Sequence, residues 1–367
     1  MSRKKHIPWW QPQLGKEEFK YLKKVFKNHY PNEGSLTAQF EKKIADRLGV
    51  KFAIATTSGT AAMFLSLKAL DIGRGDEVII PDVTFVATAN AVDLTGATPV
   101  LVDIDPKTMN IDPGMFKKVI TGKTKAVMPV HVSGRGADMR AIMSVASENG
   151  IAIIEDAAEA FMSKHQGRYL GTFGKTGCFS FSANKTITTG QGGAVVTNDE
   201  KVYMRLRELK DQGRRTKGTG GDDIHYSVGY NFKFTDLQAA IGLGQFTLLD
   251  GRIKRMRTMH TIYGENLRDL KEVSVFKCDI NGGELPQWTD AIVQHRDELN
   301  DYLQRKDVDC RKFWFPIHTQ APYKRPDEDF INSTKIVPQA LWFPSAYTLS
   351  DADVNFVCKK IREFYRD

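Results

Sequence analysis

The chain has 367 residues, of which 41% are hydrophobic and 26% charged, a globular composition that excludes a disordered, collagenous or mini-protein chain and leaves room for about two domains. Its formal net charge of +8, from 52 basic and 44 acidic side chains, suits nucleic acid, a membrane surface or a small anion as partner and selects none of them. The cysteines Cys178, Cys278, Cys310 and Cys358 stand far apart, with neither a disulfide framework nor zinc-ligand spacing, so no metal is expected.

In chain order, residues 1–10 are basic but lack an apolar signal core, and no apolar run approaches the roughly 20 residues needed to span a bilayer. The reading is a soluble, cytoplasmic protein without a membrane partner. From about residue 50, short β-branched runs alternate with helical patterns. Strands are predicted over 52–56, 77–81, 98–103, 125–130, 151–156, 177–181 and 193–197, with helices over 60–70, 84–94 and 138–149. The strands are apolar on both faces, as buried strands of a mostly parallel sheet are. Such alternation predicts an α/β sheet sandwiched by helices. After residue 200 the pattern changes to long helices over 201–211 and 235–266, then short strands and two amphipathic helices over 294–305 and 350–365. A boundary near residue 250 divides the chain into a large domain, 1–250, and a smaller α+β domain, 251–367.

The most informative stretch runs from Phe179 to Thr197, where an apolar strand leads to Lys185, then to Gly-rich polar backbone and a second apolar strand. Most lysines are solvated surface groups. One held between two core strands is placed for Schiff-base chemistry with a carbonyl. Twenty-nine positions earlier, a strand ends in Glu155-Asp156. Carboxyl ends of strands open on the crevice where α/β sheets bind ligands, and alternation sends the two acids to opposite faces. A buried carboxylate there needs a partner such as a protonated pyridine nitrogen; a helix-capping acid is the equal alternative. Ser58-Gly59-Thr60 joins a strand to a helix, a turn whose free N–H groups and hydroxyls suit a phosphate or simply cap the helix. Phe85 follows another strand end and either stacks on a flat ring or joins the core. A phosphate cradle, an aromatic face, a carboxylate and an amine match the four handles of pyridoxal 5′-phosphate.

These motifs resemble those of the DegT/DnrJ/EryC1/StrS sugar aminotransferases. The resemblance runs from Phe40-Glu41 through Ser58-Gly59-Thr60, Gly75-Asp-Glu-Val-Ile-Ile-Pro81, Lys185, Gly229-Tyr-Asn-Phe-Lys-Phe-Thr235 and Phe315-Pro-Ile-His318. It implies the fold-type I architecture of pyridoxal-phosphate-dependent transferases. Asp156-Ala-Ala-Glu159-Ala and Ala183-Asn-Lys185-Thr-Ile-Thr-Thr-Gly resemble the GDP-perosamine synthase branch, which aminates C4 of GDP-4-keto-6-deoxymannose with L-glutamate as donor and 2-oxoglutarate as product. By that resemblance Lys185 attaches the cofactor, Asp156 faces its ring nitrogen, Glu159 lies beside its ring oxygen and Phe85 stacks on the ring. Gly59, Thr60 and Ser180 hold its phosphate. Asn231 reaches the phosphate in the neighbouring subunit, which implies a homodimer with shared active sites. His318 contacts the nucleotide-diphosphate keto sugar, and Lys233 stands where the family has a substrate-side Arg.

Further departures from the family pattern are Gln191 for Glu, and His131-Val-Ser-Gly134 in place of His-Leu-Tyr-Gly. Phe313-Trp314 and Trp342-Phe343 crowd the region that shapes the sugar pocket. They leave open a 3-keto or dTDP- or UDP-linked sugar as acceptor. A nucleic-acid-binding protein is the rival from another class. Its basic segments, 16–27 and 252–257, are equally explained as solvated helix faces.

Overall fold

The computed structural model describes residues 6–215 and 223–366. Seven strands form the main sheet: β1 Phe52–Thr56, β2 Glu77–Pro81, β3 Thr98–Val102, β4 Thr124–Val127, β5 Ala152–Asp156, β6 Thr176–Ser180 and β7 Gly193–Thr197. Their order is β1-β7-β6-β5-β4-β2-β3. β3, β2, β4, β5 and β6 pair in parallel, and β7 runs antiparallel to both its neighbours. The predicted strands all form, because their residues are apolar on both faces; Val78, Ile79 and Ile80 of β2 are wholly buried. Helices Gly59–Ala69, Ala87–Asp93 and Met139–Glu148 follow β1, β2 and β4 in the chain.

The helix predicted over 235–266 is two, Asp236–Phe246 and Leu249–Leu267. Thr235 opens the first with a reciprocal cap, its hydroxyl accepting from the Gln238 N–H while the Gln238 side chain accepts from its own. The break has a local cause. The Thr247 N–H and hydroxyl both turn back to the Gly244 carbonyl, at 3.0 and 2.7 Å, and the Leu248 N–H bonds Gln245 O at 3.1 Å. These tighter bonds interrupt the i−4 ladder.

A second, antiparallel sheet follows: β8 Val273–Val275, β9 Asp290–Val293, β10 Arg311–Lys312 and β11 Ala340–Trp342, in the order β8-β9-β11-β10. Ile7 lies along this C-terminal unit, bridging Val308 in parallel, and the Trp9 carbonyl accepts from Ser345 N–H at 2.9 Å. The two sheets are tied by a buried ion pair. Arg135 makes a bidentate contact to Asp290, at 2.5 and 2.8 Å, and the Ser133 hydroxyl donates to the same carboxylate. Paired and hydrogen-bonded in this way, both buried charges are compensated.

Candidate active site

The carboxyl ends of β1, β5 and β6 open on one cavity. Its walls include Ser58, Gly59, Thr60, Asp156, Ser180 and Lys185, with Phe85, Glu159, Trp288, Arg311 and Trp314 completing it. At one wall Ser58, in extended backbone, caps the Gly59–Ala69 helix by accepting the Ala61 N–H at 3.1 Å. The N–H groups of Gly59 and Thr60 precede that bond and remain open to an anion at the helix N-terminus. The turn is built tightly. A Cβ on Gly193 would stand 2.4 Å from the Ser58 carbonyl oxygen, and one on Gly59 would stand 3.0 Å from the Ser180 Cβ.

Glu155 and Asp156 face opposite ways, as strand alternation requires. The Glu155 carboxylate is spent on structure, accepting from the N–H groups of Gly171, Phe173 and Gly174 and meeting His131 Nε2 at 3.0 Å. Asp156 faces the cavity, accepting from Thr88 Oγ1 at 2.7 Å and the Ala158 N–H at 3.1 Å. Burial pushes its carboxyl above the usual range, and these bonds, with the charges of Lys185 and His131, oppose the push only in part. Among the described residues no cation lies within ion-pair distance of it.

Lys185 Nζ stands 3.3 Å from Glu159 Oε1 and 4.8 Å from the centroid of the Trp288 ring. Glu159 Oε2 accepts from the Ser133 N–H at 3.0 Å. Burial also pushes the Glu159 carboxyl up, against the opposing charge of Lys185. The lysine's own backbone is clamped. Tyr347 OH donates to the Lys185 carbonyl at 2.6 Å, and Trp10 Nε1 donates to the Ala183 carbonyl at 2.9 Å. The Trp10 and Tyr347 rings meet edge to face at 4.7 Å. Phe85 is half exposed, 6.3 Å from the Trp314 ring, so its face belongs to the cavity and not to the core.

Three expected residues lie elsewhere. His318 is fully buried, with Nδ1 2.6 Å from Asp82 Oδ2 and its ring stacked on Phe330; its ring nitrogens are committed to Asp82 and to Asp327, at 3.3 Å. In this chain His318 is held inside the fold and is not among the residues that line the cavity. Asn231 is exposed and bridges Asp211 through the backbone. Lys233 Nζ pairs with Asp211 Oδ1 at 2.8 Å. Neither lines the cavity of its own chain. Conversely, Thr88, Trp288 and Arg311 carry no motif in the sequence. They enter the site from a helix flank, from the segment just before β9 and from β10.

The residues present fit pyridoxal 5′-phosphate. One wall offers N–H groups and hydroxyls, another a buried carboxylate without a cation beside it, and between them stand an amine and an aromatic face. Among the described residues no cluster of three or more His, Cys, Asp or Glu could hold a metal ion, and no helix is long and apolar enough to cross a membrane.

Comparison with known proteins agrees with this geometry. A family model described as the DegT/DnrJ/EryC1/StrS aminotransferase family matches residues 12–362. GDP-perosamine synthase of Escherichia coli O157:H7 is 37% identical over 368 residues, covering 99% of this chain and 100% of that protein. The structure of DesV from S. venezuelae in complex with a ketimine intermediate superposes with a TM-score of 0.91 at 29% identity, over 96% of this chain and 95% of that one. DesI in the presence of its TDP-sugar product gives 0.89 at 29% identity, over 100% and 96%. With likeness in sequence and fold along nearly its whole length, the chain belongs to the DegT/DnrJ/EryC1/StrS family of pyridoxal-phosphate-dependent sugar aminotransferases.

Proposed function

We propose that the protein moves the amino group of L-glutamate to the C4 ketone of GDP-linked 4-keto-6-deoxymannose, giving GDP-perosamine, in the cytoplasm and as a homodimer with shared active sites. Its product would serve O-antigen or related polysaccharide synthesis. The observation that carries this reading is the meeting of Lys185, Asp156 and the Ser58-Gly59-Thr60 turn in one cavity, in a chain that matches a GDP-perosamine synthase end to end.

When bound, pyridoxal phosphate supplies an aldehyde that condenses with amines and a ring that takes up the electron pair released when the amino acid loses its α-proton. The chain supplies the rest. Lys185 Nζ would hold the cofactor through its aldehyde and, as a free amine, would take the proton from the amino-acid Cα. Asp156 would hold a proton on the ring nitrogen, the cationic partner that its buried carboxylate otherwise lacks. The N–H groups of Gly59 and Thr60 and the hydroxyls of Thr60 and Ser180 would hold the phosphate, and Phe85 would cover the ring. Glu159, tethered by the Ser133 N–H, keeps Lys185 turned inward and would lie beside the ring oxygen.

Asn231 and Lys233, exposed or half-buried away from their own cavity, belong in this reading to the partner's site. A second acceptor class, a TDP-linked sugar, is supported by the likeness to DesI with its TDP-sugar product, and a 3-keto sugar is the further alternative. A glutamate-dependent assay with a panel of nucleotide-linked 4-keto and 3-keto sugars, the aminated carbon read by NMR, decides between them. We expect a C4 amine on the GDP-linked sugar, and a C3 amine overturns the proposal.

A further inference from the structure

Arg311 opens β10 and lines the cavity from the second sheet. Its guanidinium lies over two indoles, 4.9 Å from the Trp9 centroid and 5.5 Å from that of Trp342. Among the described residues it has neither a carboxylate within ion-pair distance nor a hydrogen-bond acceptor. Burial works against its charge, and Glu159 is the anion whose field reaches it. The neighbouring indole N–H groups of Trp9 and Trp288 are buried and also lack an acceptor among the described residues. This wall thus holds donors in excess of acceptors, an arrangement that costs stability unless something anionic completes it.

Position narrows the anion. Trp9 meets Trp288 at 5.4 Å and Trp288 meets Trp342 at 5.3 Å, and Lys185 Nζ stands over the same Trp288 ring. The two cations therefore share one aromatic cluster, with Glu159 between them in the electrostatic sense. In an amino donor the α-carboxylate is one bond from the carbon that reacts at Lys185. In a nucleotide sugar a whole pyranose ring separates C4 from the diphosphate. An unpaired planar fork in the wall of the cavity that holds the reacting amine matches a carboxylate.

We propose that Arg311 anchors a carboxylate of the dicarboxylic amino donor; this rests on the aminotransferase reading above. The test uses holoenzyme and glutarate, which carries both carboxylates but neither amine nor ketone. Binding is followed by the fluorescence of the surrounding tryptophans. Arg311→Gln is expected to weaken glutarate by about a hundredfold, and Arg311→Lys, which keeps the charge on Trp9 and Trp342 but loses the fork, by less. Affinity for GDP-mannose, a nucleotide sugar without a ketone, is expected to stay within about twofold, since a cation that does not meet the diphosphate contributes little to it.

Unchanged glutarate binding in Arg311→Gln overturns the proposal, as does a loss confined to GDP-mannose. The acceptor reading fails separately. If no keto sugar in the panel is aminated while Arg311→Gln still loses glutarate, the carboxylate anchor stands without that acceptor. If the sugar is aminated with an unaltered KM for glutamate in Arg311→Gln, the acceptor stands and the anchor falls.

Discussion

Glu155 and Asp156 show how little separates a structural acid from one that faces a ligand site. They are adjacent, both buried, and differ in the face of β5 they occupy. Glu155 is saturated by backbone N–H groups, whereas Asp156 faces the cavity with no cation within ion-pair distance among the described residues. Replacing Lys185 by Ala is expected to abolish turnover, by about a thousandfold or more, together with the visible absorbance of the bound cofactor. Asp156→Asn keeps the hydrogen bond from Thr88 but cannot hold a proton on a ring nitrogen, so kcat should fall by about 10²–10⁴-fold with the cofactor still bound. Wild-type kcat in either variant would remove that residue from the mechanism.

A third residue reports on stability. Burial pushes the His260 imidazole down to about 4, with Asp290 opposing the shift and Arg135 adding to it. Above pH ~6.5 the ring is neutral in folded and unfolded chains and contributes nothing. Between about 6.5 and about 4 the unfolded chain binds a proton that the fold refuses, so stability falls as the pH falls, by about 3 kcal/mol at the acid end. His260→Met should flatten the pH dependence of the urea midpoint over that window; parallel curves would exclude the assignment.

At the scale of elements, the Asp236–Phe246 helix is shaped by what lies against it. Gly242 and Gly244 leave no room for a side chain. A Cβ on Gly242 would stand 2.4 Å from the Phe40 ring, and one on Gly244 would stand 2.7 Å from the Glu18 backbone nitrogen. Glycines that weaken a helix by about 1 kcal/mol each are kept here so that another helix can approach. Gly244→Ala should therefore lower Tm despite its better propensity, because the clash is with backbone that cannot swing aside and overpacking costs about 1–3 kcal/mol. A raised Tm would show that the helices separate freely.

The Lys185 loop is a second case. Its ends are fixed by β6 and β7, but its backbone is held by Trp10 and Tyr347, residues near opposite ends of the chain. Both strands that flank the loop were legible from their apolar runs. The break at Thr247 was not, because a hydroxyl turning back on a carbonyl leaves the helical periodicity of the sequence undisturbed.

At the scale of the molecule, the proposed sharing of sites between subunits predicts complementation. Lys185→Ala and Asn231→Ala should each be impaired alone. Mixed and refolded together, they should regain about a quarter of wild-type activity, since half the dimers then carry one intact site of two. No recovery would place Asn231 outside the partner's cavity.

The sequence by itself determined the α/β alternation, the turn at Ser58-Gly59-Thr60 and the opposed faces of Glu155 and Asp156. Backbone period and the burial of apolar side chains are local properties that a single chain displays. Only the tertiary structure decided which of these features meet. It brought Trp288, just before β9, to Lys185 and Arg311 of β10 to the same cavity, and it turned His318 inward onto Asp82. Such contacts join residues a hundred or more positions apart, and packing between elements selects them without leaving a local pattern to read.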